Sequence, residues 1–324
     1  MAKLPGRSAL ALALCLIVAL CAAGCGRQGA EPPAQGLKDI NGTRLFYTAL
    51  GSGQPIVFVH GRSGSHRYFL PHVAPLADQY RLLLYDQRGT GASDAKLELR
   101  ALSIDQFADD LDALRAAFGL DKITLVGHSW GAVVALFYAF KYQNHLDKLI
   151  LVDAVPLTRE FVAAQLKTVQ QRIARLSPAD QQTLSSTCSR PYSQLSASEQ
   201  AECNRLDAAL RFYDPARATA LDTTAEANTL RNAATVQSML ATSFNRSQPG
   251  IEAGLKSIHV PTLLVHGDFD PIPVAASAYI QQHIAGAQLV VLKQSGHFPF
   301  VEQPEQFLAA VRAFMGGQAA TPAR

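Results

Sequence analysis

Gly127-His128-Ser129-Trp130-Gly131 sets a serine two residues from a glycine on either side. A serine oxygen is a weak nucleophile until a base takes its proton, and that base needs a partner to hold its ring and balance its charge. The chain offers both further on. PTLLVHGDFDPIP ends in a loop with Asp268 and Asp270, and LKQSGHFPF carries His297. These residue types in this order point to acyl transfer, with Ser129 as nucleophile, His297 as general base and Asp270 as the acid that orients it. Asp268 is a spare acid, better suited to bracing its turn, and Asp153, after KLILV, is a weaker alternative. The oxyanion of such a reaction needs N–H donors. Trp130, at a helix start, offers one, and Arg62 in His60-Gly61-Arg62-Ser63-Gly64 offers the second. The remaining histidines have plainer readings. His128 reads as packing, turned away from the serine, His60 and His266 read as strand ends, and His66 and His72 are candidates to line a pocket.

Such residues must be held at strand ends. PIVFVH, YRLLLYD, KITLVGH, KLILVDA, PTLLVHGD and AQLVVLK are dense in Val, Ile and Leu, as strands buried on both faces are. Helical patterns such as SIDQFADDLDALRAAF and AVVALFYAFKY lie between them, so the expected class is α/β, with a mostly parallel sheet flanked by helices. Ser129 falls between the strand KITLVG and the helix AVVALFYAFKY, the strand–turn–helix setting in which Gly-x-Ser-x-Gly has meaning. Asn41-Gly42 between LKDI and TRLFYTAL signals a hairpin. Residues 155–257 contain no convincing core strand. FVAAQLKTVQQRIARL, SASEQAECNRLDAALRFY and ATALDTTAEANTLRNAATVQSML read as helices of a lid, between core segments 37–154 and 258–324.

The chain has 324 residues, a formal net charge of +3, 48% hydrophobic and 17% charged residues. This balance is globular, and with no long basic run it gives no sign of a nucleic-acid partner. At the start, Lys3 and Arg7 precede an apolar run from Ala9 to Ala23 that closes in Ala22-Ala23-Gly24-Cys25. This layout resembles a bacterial lipoprotein signal. The resemblance implies removal of residues 1–24, lipidation of Cys25, a Gly/Pro/Gln/Ala-rich tether over residues 25–36, and a domain lipid-anchored in the cell envelope, facing the periplasm or exterior. Cys15 and Cys21 leave with the signal. Cys188 and Cys203 remain, a disulfide candidate in an oxidising compartment.

From about Leu37 to Met315 the chain resembles the α/β-hydrolase superfamily. Tyr85-Asp86-Gln87-Arg88-Gly89-Thr90-Gly91-Ala92-Ser93 is similar to a stretch that follows the fourth strand in that superfamily, where a glycine turn would be fixed by Asp86 and Arg88. Asp-Gln-Arg-Gly, Ser129-Trp130-Gly131 and GHFPFVEQPEQF together resemble proline iminopeptidases. The likeness implies a serine hydrolase for an ester or amide bond, including the first peptide bond of a short peptide. A carboxylesterase and a non-catalytic binding protein are the alternatives. Two positions depart from the family, which usually has His-Gly-Gly-Pro-Gly where this chain has His60 to Gly64, and glycine where it has His128. Family members grip the substrate amino group with acidic lid residues. Glu199, Glu202 and Glu226 lie in this lid, but none falls in a matching motif. A serine nucleophile argues against the haloalkane dehalogenases and epoxide hydrolases of this fold, which use aspartate. No metal-ligand spacing and no dinucleotide motif appears, so no metal or cofactor is expected.

Overall fold

All six apolar runs become strands, and the central ones are buried on both faces, as parallel strands between helical layers must be. The protein is described by a computed structural model over residues 34–61, 64–97, 102–222 and 227–320. Among these residues one sheet of eight strands forms, comprising β1 (Ala34–Ile40), β2 (Thr43–Leu50), β3 (Gln54–Val59), β4 (Tyr80–Tyr85), β5 (Ile123–His128), β6 (Leu146–Val152), β7 (Thr262–Gly267) and β8 (Gln288–Leu292). The spatial order is β1-β2-β4-β3-β5-β6-β7-β8. Strands β3 to β8 run parallel, and β1 and β2 add an antiparallel edge.

That edge begins with the expected hairpin. Asn41 and Gly42 both take positive φ, 45° and 75°, as a two-residue turn of primed type requires. Ala34, Gln35 and Gly36 already pair with Ala49, Thr48 and Tyr47. The strand therefore claims the last three residues of the expected 25–36 tether, because their backbone groups find partners in β2.

The helices are α1 (Leu70–Val73), α2 (Ile104–Ala117), α3 (Trp130–Tyr142), α4 (Arg159–Ile173), α5 (Pro178–Ser186), α6 (Ala197–Arg211), α7 (Ala227–Ser247), α8 (Ile251–Lys256), α9 (Val274–His283), α10 (Pro299–Glu302) and α11 (Pro304–Met315). Leu111 of α2, Leu136 of α3 and Ile280 of α9 join the core on one face of the sheet. Val73 of α1 and Phe307 and Phe314 of α11 join the core on the other. Every residue of α3 from Gly131 to Ala139 is buried, which is why its sequence is apolar all round rather than striped.

Between β6 and β7 the described residues form helices and no strand. Side-chain oxygens of Thr158, Ser177 and Ser196 cap α4, α5 and α6, the last with Glu199 in a reciprocal capping box. The stretch from Ala218 does not run on as one helix. Residues Pro215–Ala220 make a separate 3-10 turn capped by Asp214, which ends where Leu221 turns extended, and α7 starts at Ala227. Cys188 and Cys203 are joined by a disulfide that ties the segment after α5 to α6. Among the described residues no helix is long and apolar enough to cross a membrane. Cys25, with the signal it belongs to, lies outside the described residues.

The strand order also locates the site. The chain passes from β3 outward to β4 and then back across to β5, so the order reverses between β3 and β5. Loops leaving neighbouring strands in opposite directions open a crevice at their C-terminal ends. Gly61 and Ser129 stand at that edge.

The disulfide closes a short loop within the insertion, of 15 residues by sequence separation. Replacing both cysteines, Cys188→Ser with Cys203→Ser, is expected to lower the unfolding free energy by about 3 kcal/mol. Urea denaturation of the double variant beside the parent protein measures this, and equal midpoints would contradict it.

Candidate active site

Ser129 sits between the last residue of β5 and the first of α3 with φ 54° and ψ −120°. A serine holds such a backbone only when its surroundings enforce it. Here they do so by close approach. A Cβ on Gly127 would lie 2.4 Å from the Gly131 carbonyl oxygen, and one on Gly131 would lie 2.2 Å from the Val59 carbonyl oxygen. Only glycine fits either position. The turn leaves the Ser129 hydroxyl 3.0 Å from His297 Nε2. His297 Nδ1 lies 2.8 Å from Asp270 Oδ2, and Asp270 Oδ1 accepts the Ile272 N–H at 2.9 Å. Burial by itself would raise the Asp270 carboxyl, but the charge and hydrogen bond of His297 outweigh it and hold Asp270 below the ordinary carboxylate range. The structure thus brings Ser129, Asp270 and His297 into one hydrogen-bonded line. Trp130 opens α3, so its backbone N–H is a first-turn donor without a partner inside the helix. Arg62, expected as the second donor, lies outside the described residues.

A profile described as the alpha/beta hydrolase fold matches residues 54–304. The chain belongs to that family. It is 29% identical over 303 residues to a proline iminopeptidase of Saccharolobus solfataricus, covering 87% of this chain and 92% of that one. It is 26% identical over 295 residues to a proline iminopeptidase of Heyndrickxia coagulans, covering 87% and 98% respectively. Among solved structures, the thermophilic esterase from Thermogutta terrifontis superposes with a TM-score of 0.62 at 24% identity, covering 89% of this chain and 99% of that one. At that identity the likeness concerns the fold.

This α/β-hydrolase surrounds its serine with more polar structure than the motif suggests. His128 does pack, among Tyr68, Phe69, Phe298 and Phe300, but both its ring nitrogens are also engaged. Nε2 lies 2.7 Å from the His297 carbonyl oxygen, which can only accept, so Nε2 carries the proton. Nδ1 must then accept from the Tyr68 hydroxyl at 2.9 Å. The Tyr68 oxygen in turn accepts the Gly61 N–H. One chain of bonds therefore joins the loop after β3, the residue before the serine, and the histidine loop. Burial keeps His128 uncharged by pushing its ring far below its ordinary value.

The other expected residues sort by contact. Asp268 accepts the Ser295 N–H at 3.4 Å and faces Lys293, so it braces the turn. Asp153 is wholly buried behind Asp270. His66 Nδ1 lies 2.8 Å from Asp86 Oδ1, and His72 Nε2 lies 3.2 Å from the Ala220 carbonyl oxygen, so one ring nitrogen of each has a structural partner. His60 accepts the Gln87 N–H at 3.1 Å behind its strand. Asp86 fixes the glycine turn through the Ala92 N–H at 2.9 Å. Arg88 does not share that work, since it forms a two-pronged, buried pair with Asp110 of α2 at 2.6 and 2.7 Å. Glu199 caps α6 and pairs with Arg190, and Glu202 pairs with Arg205, both toward solvent. Glu226 lies outside the described residues.

Two contacts join the insertion to the histidine loop. The His297 N–H donates to the Arg211 carbonyl at the end of α6, 2.9 Å away. The buried carboxylate of Glu302 accepts the N–H groups of Tyr213, Asp214 and Gly296 at 2.8, 3.0 and 2.5 Å. Sequence reasoning passed over Tyr68 and Glu302. The available signal for Glu302 was its place in GHFPFVEQPEQF, a charged residue within an otherwise apolar turn.

Removing the Tyr68 hydroxyl would leave the Gly61 N–H and His128 Nδ1 without their partner in a buried place. Tyr68→Phe is expected to cost about 1–3 kcal/mol of stability with an unchanged urea m-value. A variant as stable as the parent would mean the relay carries no weight.

Proposed function

We propose that this α/β-hydrolase is a serine hydrolase that cleaves an ester or amide bond through an acyl-enzyme. The observation that carries the reading is the unbroken line from Ser129 Oγ through His297 to the buried Asp270 carboxylate. Ser129 Oγ attacks the substrate carbonyl carbon while its proton passes to His297 Nε2. The carbonyl oxygen becomes an oxyanion beside the Trp130 N–H at the α3 N-terminus. His297 then gives its proton to the departing amine or alcohol, and the C–O bond to Ser129 remains as an ester. Water enters, loses a proton to His297 and attacks that ester, which releases the acid and restores the serine. Asp270 keeps the ring oriented and balances the imidazolium throughout. The insertion between β6 and β7 forms a lid, since α6 and the residues after it bond the histidine loop directly.

Two observations pull the substrate in different directions. The Heyndrickxia and Saccharolobus relatives are proline iminopeptidases matched over nearly their full length, which favours an amide at a free amino terminus. Against this, Glu199 and Glu202 are committed to a helix cap and surface ion pairs, so neither supplies an anion for a substrate amine. That favours the second reading, a carboxylesterase. The disulfide within the insertion fits an oxidising compartment and so agrees with the proposed envelope location, anchored through Cys25.

Ser129→Ala is expected to abolish turnover and fluorophosphonate labelling while leaving the fold intact by circular dichroism. The substrate class is decided by kcat/KM on three substrates. These are a proline arylamide with a free amine, its acetylated form and a short-chain aryl ester. Rapid cleavage of the free-amine amide, lost on acetylation, identifies an aminopeptidase. Ester turnover without amide cleavage identifies an esterase.

A further inference from the structure

Of the three candidate acids in the sequence, Asp270 and Asp153 are both buried at the site. Asp153 follows β6 with φ 42° and is wholly buried. Its Oδ1 accepts the Gly267 N–H at 2.9 Å. Its Oδ2 is buried with no hydrogen-bond donor. One oxygen of Asp153, one of Asp270 and one nitrogen of His266 lie within 4.8 Å of one another, and the same holds for Asp153, His128 and His297.

None of the facing groups can neutralise an Asp153 carboxylate. His266 Nε2 donates to the Ile272 carbonyl at 2.9 Å, so its Nδ1, 3.6 Å from Asp153, bears no proton and accepts from Ser277 at 2.8 Å. His128 spends its one proton on the His297 carbonyl. His297 directs Nδ1 to Asp270 and Nε2 to Ser129. Glu302 adds only a further acidic group. Arg211 is paired with Asp207, and Arg172 is held by the Leu210 and Phe269 carbonyls. Two carboxylates side by side in a buried space cannot both stay ionised. Asp270 has the imidazole, so Asp153 keeps the proton.

We propose that Asp153 is a positioning residue of the triad, a neutral carboxylic acid whose O–H is donated to the Asp270 carboxylate. The inference rests on the serine-hydrolase reading and deepens it. An acid that only accepts bonds from His297 and the Ile272 N–H gains a third donor on its buried side, which limits its rotation. The neutral form also leaves a single negative charge behind His297. A second charge there would hold the imidazole protonated and spoil it as a base. Burial and the neighbouring Asp270 both act in this direction on the Asp153 carboxyl, raising it well above the ordinary range.

The test uses the rate of fluorophosphonate labelling at Ser129 against pH, for the parent, Asp153→Asn and Asp153→Ala. Asparagine keeps a donor and the neutral charge. The midpoint of the acid limb is therefore expected to coincide in the parent and Asp153→Asn. Asp153→Ala, which loses the donor, should label about tenfold more slowly, with asparagine restoring most of the rate. A midpoint lower by about one unit or more in Asp153→Asn would mean that a charge next to His297 had been removed, and would overturn the proposal. Parent-like labelling by Asp153→Ala would overturn the positioning role. Infrared spectra of the parent protein, with and without 13C-labelled aspartate, need no variant to fold. They should contain a protonated carboxylic-acid band at neutral pH that shifts on labelling, and its absence would also overturn the proposal. A parent protein that never labels would instead sink the serine-hydrolase reading, and the infrared band would still decide the state of Asp153.

Discussion

The site depends on a backbone that packs closer than side chains allow. Ser129 stays at positive φ because the start of α3 presses on β5 and on the end of β3, where Gly127 and Gly131 leave no room for a Cβ. The energy of that strained turn comes from the burial around it. α3 is enclosed along most of its length, and β5 is enclosed along all of it. Once the serine is fixed there, the loops after β3, β7 and β8 have one place to converge.

Around that point buried polar groups are linked in chains, with Asp153 Oδ2 and Trp130 Nε1 left outside them. The Gly61–Tyr68–His128 chain ends on the His297 carbonyl, and the His297 N–H ends on Arg211. The His297 ring is thus held through its own backbone on two sides, once from the core and once from the insertion. Glu302 repeats this arrangement at larger scale, with one carboxylate accepting N–H groups from both parts. A helical insertion so attached is part of the framework of the histidine loop. Displacing α6 would shift His297 itself.

The acids show how burial divides labour between like groups. Asp270 sits against an imidazole and a backbone N–H, which favour its ionised form. Asp153, equally buried, has one N–H and a carboxylate for a neighbour. The same side chain is thus pushed in opposite directions, up for Asp153 and down for Asp270, by which loop brings a donor. Asp86 and Arg88 divide in a similar way. Asp86 is used up by His66 and its own turn, which leaves Arg88 to pair with Asp110 across the sheet edge.

By itself the sequence determined what depends on local pattern. The runs of Val, Ile and Leu fixed six strands, Asn41-Gly42 fixed a hairpin, and the spacing of Gly127 and Gly131 fixed a turn that could hold a serine. The order of Ser129, Asp270 and His297 along the chain followed from the loops that leave those strands. Only the tertiary structure decided which groups share a proton or a hydrogen bond across elements. The pairing of His128 with Tyr68 spans 60 residues and its bond to His297 spans 169. No local pattern encodes such contacts, because they exist only when the sheet brings distant loops to one edge. The sequence already ranked Asp270 ahead of Asp153 as partner of His297, and the structure pairs Asp270 with that ring. What no local pattern encodes is that Asp153 lies buried beside the pair, because the sheet alone brings the end of β6 there.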